Sequence, residues 1–156
     1  MKKTLFLSII LLFAGCSAVQ ESAKKVKNFS KCYINKIPAP FWVCYQSLFM
    51  SVGKVYTSKP SRLKQEEAYS TALNNLIQKI QNKTKIFMEK AGIKDRNLLN
   101  EVKNFVIINA IEGNSWFDDK NHIMYVEASI DKEEFKNFLK EKVKIKDFEN
   151  IFNETF

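Results

Sequence analysis

The chain has 156 residues and a formal charge of +8, with 46% apolar residues. That is about one domain's length. No apolar stretch approaches the roughly 20 residues a membrane-spanning helix needs, and four glycines supply no Gly-rich phosphate loop.

The chain starts with Lys2 and Lys3, followed by an apolar run from Leu5 to Phe13 interrupted only by Ser8. A charged start, a short apolar core and small residues before a cut form a secretory signal peptide, expected over residues 1–15. The stretch Leu12-Phe13-Ala14-Gly15-Cys16 looks like a bacterial lipobox, with Phe13 where the usual pattern has Leu. In lipoproteins the thiol takes a diacylglycerol and the chain is cut before it, so Cys16 is the expected lipidation site. The alternative is an ordinary signal peptide with an incidental cysteine. Each buried acyl CH₂ contributes about 0.8 kcal/mol, so several acyl chains give durable anchoring. The mature chain is then tethered to the membrane without crossing it.

Loss of Lys2 and Lys3 lowers the formal charge from +8 to +6. A basic cytosolic domain would suggest nucleic acid, which export makes an unsuitable partner. Phospholipid head groups, lipopolysaccharide and peptidoglycan carboxylates are the anions of an envelope. The lysines are nevertheless spread along the chain, as on a solvated surface without a specific partner. Three cysteines are an odd number; with Cys16 lipidated, Cys32 and Cys44 remain as a pair. An oxidising periplasm favours a disulfide between them, two reduced thiols being the alternative.

Residues 16–37 are polar and lysine-bearing, and read as a lipid-anchored tether. Pro38-Ala39-Pro40 breaks any helix and imposes an extended start. The α+β domain is expected over residues 38–145. Gln46 to Tyr56 alternates as a half-buried strand, with Leu48, Met50 and Val52 expected on one face and Ser51 and Gly53 on the other. Gly53 suggests a bulge or a close backbone approach. Thr57 to Ser61 is a turn cluster that also fits a helix start. Tyr69, Ala72, Leu73, Leu76, Ile77, Ile80, Thr84, Phe87, Met88 and Ala91 then recur at three- and four-residue steps, one stripe of a long amphipathic helix. Small Ala68 and Ala72 let its first turns approach a sheet, and Gly92 stands where a C-terminal cap belongs.

Asp95 to Asn104 reads as a shorter helix with Leu98, Leu99 and Val102 inward. Phe105 to Ile111 is rich in β-branched residues and reads as a covered strand, extended through Trp116-Phe117. Asp118-Asp119-Lys120-Asn121 is a polar turn. His122 to Ile130 alternates again, with Met124, Val126, Ala128 and Ile130 on one side, completing a hairpin. Asp131 to Glu134 resembles a capping box, with Ile130 and Phe135 placed as a hydrophobic staple. Residues 146–156 form an amphipathic C-terminal tail. Its Phe148, Ile151, Phe152 and Phe156 are candidate partner contacts, folding back on the domain being the alternative. The order predicts an α+β fold: a small antiparallel three-stranded sheet packed against one long helix and one or two shorter ones.

No constellation for catalysis is apparent. The single histidine, His122, has no second histidine or free cysteine for a metal site, and no G-x-S-x-G frame exists for a nucleophile. Asp118 and Asp119 suit a turn better than an acid–base pair, and the turn lacks the spacing of a calcium loop. The expectation is a non-enzymatic protein with no cofactor and no metal.

Pro40-x-Trp42-Val43, a strand carrying Gly53, a helix with Ala68-x-x-x-Ala72-x-x-x-Leu76, Trp116 before Tyr125-Val126, and the helix-starting Asp131 occur in that order. Together these resemble the twenty-kilodalton membrane-associated lipoprotein family of Helicobacter- and Campylobacter-type bacteria, over about residues 38–143 plus the lipobox. Cys32 and Cys44 depart from that family's pattern. The resemblance implies a lipoprotein anchored in the outer membrane, facing the periplasm and acting through protein contacts. Its partners would be envelope proteins, further copies of itself or flagellar basal components, giving a structural role with a link to motility. A binding module that regulates a cell-wall synthase or contacts the host is the alternative.

Overall fold

The computed structural model describes residues 31–156. Lys31 begins a two-stranded antiparallel ribbon of β1 (Cys32–Ile34) and β2 (Ile37–Ala39), followed by one helical turn, α1 (Phe41–Cys44). A three-stranded antiparallel sheet follows in the order β3-β5-β4, with β3 at Met50–Tyr56, β4 at Ile111–Asp118 and β5 at Ile123–Ser129. The helices are α2 (Arg62–Ala91), α3 (Leu98–Asn109), α4 (Lys132–Lys142) and α5 (Phe148–Thr155). The α+β fold expected from the sequence is the one observed.

Helix α2 spans 30 residues and covers one face of the sheet. Its ends follow from local chemistry. The Ser61 side chain accepts from the Lys64 N–H at 3.3 Å, supplying one of the bonds the first turn lacks. At the other end Gly92 adopts φ 66°, its N–H reaching Glu89 O while the Ile93 N–H reaches Met88 O at 2.9 Å. Those two bonds are a Schellman closure. Ala68, Ala72, Leu76, Ile80, Thr84 and Phe87 are fully buried along the expected stripe. Buried Thr84 gives its hydroxyl to Ile80 O at 2.9 Å.

On β3 the two faces separate as expected, and the buried one is the face of the small residues. Ser51 and Gly53 are buried, whereas Met50 and Val52 are only half-buried. The cause is the sheet–helix distance. A Cβ built on Gly53 would lie 2.0 Å from Ala68 O and 2.3 Å from Ala72 N. The helix backbone sits so close that only small residues fit beneath it, and the larger Met50 and Val52 take the outer face.

The segment read as a strand from Phe105 is helical to Asn109; β4 begins only at Ile111. Leu98, Val102 and Val106 stand four residues apart and are all buried. Burying that stripe outweighs the weaker β-propensity of the Val-Ile-Ile run. Asn109 closes the helix by donating to Phe105 O at 2.8 Å. The hairpin with β5 exists, but it starts later than expected and carries an irregularity between Glu112 and Ser115.

The C-terminal tail is core, contrary to its reading as a contact site. Phe148 and Phe152 are buried, and Ile151 and Phe156 pack against the same cluster as Leu76, Phe87, Val102, Phe135 and Leu139. Phe156 stands 4.8 Å from Phe152 and 5.3 Å from Phe135 between ring centroids. The amphipathic stripe is consumed by α2 and α4. The domain boundaries shift accordingly: Lys31–Phe156 is one compact unit, so both the end of the expected tether (residues 16–37) and the tail (residues 146–156) belong to the domain expected over residues 38–145. Helix α4 has the N-cap half of the expected capping box, the Asp131 carboxylate accepting from the Glu134 N–H at 2.8 Å, and Ile130 and Phe135 are both buried.

Candidate contact surfaces: a disulfide-bound cap and an apolar junction

The ribbon and α1 form a cap over the sheet face opposite α2. Asn35 and Lys36 have φ values of 49° and 67°, the left-handed pair that a two-residue hairpin turn needs. Cys32 and Cys44 are bonded, with Cα atoms 5.8 Å apart, so the disulfide ties β1 to the end of α1. Beneath the cap, Cys32 and Val43 bury against Ile123 and Tyr125 of β5, with Trp42, Val52 and Trp116 around them. Trp116 stacks on Tyr125 at 5.3 Å. The Asn35 side chain donates to Asn121 Oδ1 at 3.5 Å, joining the cap's turn to the β4–β5 turn.

The other side of the cap is aromatic and exposed. Tyr33 alternates with buried Cys32 and half-buried Ile34, and so points away from the sheet. It is 50% exposed, and Tyr45 is 45% exposed. Phe41 stacks on Tyr45 at 4.3 Å. On β3, Lys54 and Tyr56 oppose Tyr125 and Ile123, so they lie on the cap-bearing face; Tyr56 is 70% exposed. From Lys31 to Ser61 the chain carries Lys31, Lys36, Lys54 and Lys59 and no carboxylate.

A second surface lies where α3 passes into β4. Ile108 is 78% exposed and Ile111 is 66% exposed, with exposed Ile107 beside them. They follow from the helical register: with Val102 and Val106 turned into the core, Ile107 and Ile108 must face out. β4 is an edge strand. Near its start Glu112 accepts from Gln65 Nε2 at 2.6 Å, and Ala110 O accepts from the Tyr69 hydroxyl at 3.2 Å. Sequence reasoning missed this surface, because a strand from Phe105 would have covered the same isoleucines. The one available signal was the four-residue spacing of Leu98, Val102 and Val106.

Asp118 is 1% exposed and serves the turn. Its carboxylate accepts from the Lys120 N–H at 3.1 Å, the Asn121 N–H at 3.0 Å and the Asn121 side-chain amide at 2.6 Å. Burial by itself would raise its pKa, but these donors together with the Lys120 charge hold it below the ordinary carboxylate value. Such a carboxylate is a fixed acceptor, unsuited to proton exchange near neutral pH. His122 follows the turn with φ 54°, and its carbonyl accepts from the Thr57 N–H at 2.8 Å. Among the described residues, no three His, Cys, Asp or Glu side chains gather where they could hold a metal ion, and no helix is long and apolar enough to cross a membrane. Cys16 lies outside the described residues. No protein-family model matches this chain, and no curated protein matches it either.

Proposed function

We propose that this chain is a lipid-anchored, non-enzymatic protein of the outer membrane, facing the periplasm and assembling with further copies of itself through the junction of α3 and β4. The observation that carries the reading is the cluster of Ile107, Ile108 and Ile111, large apolar side chains left in water beside an open sheet edge. Contiguous exposed apolar surface of this kind marks contact sites. The signal peptide and the lipobox at Cys16 supply the anchor. Confinement to a surface raises effective concentration, so a modest contact suffices once many copies share one membrane. The resemblance to the membrane-associated lipoprotein family connects such an assembly with envelope structure and motility.

The test has two arms. Cys16→Ser should abolish incorporation of labelled palmitate; continued labelling rules out the anchor. Ile108→Lys with Ile111→Lys should abolish cross-linking between copies in the membrane while leaving the melting temperature unchanged. Undiminished cross-linking in that variant rules out the junction as the assembly surface.

A further inference from the structure

We propose that the exposed side of the cap, together with the outer face of β3, is a docking surface for anionic phospholipid that seats the domain on the membrane holding its anchor. The inference rests on the anchor reading of Cys16, but it concerns a different surface from the α3–β4 junction. Three features of the cap converge on a lipid surface.

The first is side-chain chemistry. Tyr33, Tyr45 and Tyr56 each expose about half or more of their surface, and they alternate along the chain with Lys36 and Lys54. Tyrosine has an apolar ring and a polar end, which suits the boundary between head groups and acyl chains. Lysine stems lie along apolar surface while the ammonium stays with water or phosphate.

The second is charge. The thirty-one residues from Lys31 to Ser61 hold four lysines and no carboxylate. In the neighbouring β4–β5 turn, exposed Asp119 stands beside Lys120 in sequence and Asp118 is buried with its donors; on the cap-bearing face of the sheet, Glu127 lies opposite Val52 and accepts from the Asn114 side-chain amide at 3.0 Å. The carboxylates in ion pairs elsewhere, Glu66 with Arg62 and Glu67, Glu101, Glu149 and Glu154 with lysines, belong to the helices. Anionic lipid attracts a basic patch of this kind.

The third is placement. In sequence the cap is the first described element after Cys16, with residues 17–30 between Cys16 and Lys31. Fully extended, those residues reach at most about 50 Å, so the cap is always within reach of the bilayer. The disulfide holds the aromatic side outward, because Cys32 and Val43 are fixed against the sheet beneath. A protein partner could use the tyrosines, but it would not account for their occurrence within one all-basic segment, the described stretch nearest Cys16 in sequence.

The domain Lys31–Phe156 has its own core and lacks Cys16, so it tests docking independently of lipidation. It should co-sediment with phosphatidylglycerol-containing vesicles. Binding should weaken by about tenfold or more on phosphatidylcholine vesicles, which present no net charge, and by a similar factor at about 0.5 M NaCl, where surface charges are screened. Tyr33→Ser/Tyr45→Ser/Tyr56→Ser should lose binding with the melting temperature unchanged. Lys36→Glu/Lys54→Glu, both at exposed positions, should lose it too and settles the matter if the tyrosine variant melts early. Gln78→Ser, at an exposed position of α2 outside both surfaces, should bind like the parent. No sedimentation on anionic vesicles overturns the proposal, as does equal binding to both lipids, undiminished binding in the lysine variant, or loss of binding with Gln78→Ser. Palmitate labelling at Cys16 separately reports the anchor, so the two readings fail distinguishably.

Discussion

Gly53→Ala is the sharpest test of how α2 sits on the sheet. The added methyl would meet Ala68 O at 2.0 Å, Ala72 N at 2.3 Å and Ala72 Cα at 3.0 Å. All three are backbone atoms of α2, so no rotamer change relieves the contact. To restore ordinary separation the helix must move by more than 1 Å, lifting Ala68, Ala72 and Leu76 from sites where they are fully buried. Overpacking a core typically costs about 1–3 kcal/mol where side chains can give way; against a helix backbone we expect about 3 kcal/mol or more. The assay is urea denaturation followed by circular dichroism, with Gly113→Ala as the control. There the new Cβ meets Glu127 Cδ at 2.9 Å, the movable end of a side chain, and the loss should stay under about 1 kcal/mol. Shortening the side chain by Ala72→Gly should fail to rescue Gly53→Ala, because the colliding atoms remain. A Gly53→Ala protein within about 0.5 kcal/mol of the parent refutes the close approach.

The remaining expectations address other parts of the fold. Phe152→Ala should cost about 3–5 kcal/mol, and ending the chain after Lys146 should lower the melting temperature; an unchanged melting temperature would return α5 to the role of an exposed tail. Reducing Cys32–Cys44, which closes a loop with a separation of 12 residues, should destabilise the domain by about 3 kcal/mol on the loop-entropy argument, detected as a drop in urea midpoint with dithiothreitol that is absent in a Cys32→Ala/Cys44→Ala variant. Asp118 has a depressed folded-state pKa, so its ionised form stabilises the fold above the unfolded Asp pKa of about 3.9, and that contribution disappears as pH falls through the lower folded value. Asp118→Asn should therefore lower the urea midpoint at neutral pH and converge with the parent at strongly acid pH; a constant gap across that range would contradict the linkage.

The long helix was legible in the sequence because its information is local. Its stripe repeats over 30 residues, and Ser61 and Gly92 mark its ends through bonds to their own backbone neighbourhood. Strand β5 was legible for the same reason, its alternation having period two. The cysteine count pointed to Cys32 and Cys44 as a pair, because redox chemistry depends on number and compartment more than on fold.

Tertiary packing decided the rest. Whether the run from Phe105 became strand or helix depended on which side chains a neighbouring surface could accept, and the Leu98, Val102, Val106 stripe met that surface. Which face of β3 turned inward depended on how near α2 came, a distance set by Ala68 and Ala72 from elsewhere in the chain. The apolar stripe of residues 148–156 could not reveal whether it would meet a partner or its own core, since amphipathicity states only that one face leaves water. The exposure of Ile107, Ile108 and Ile111, and of the cap's tyrosines, is what remained after those packing choices. Burial is a property of the assembled surfaces, and no window of sequence contains both of the surfaces that meet.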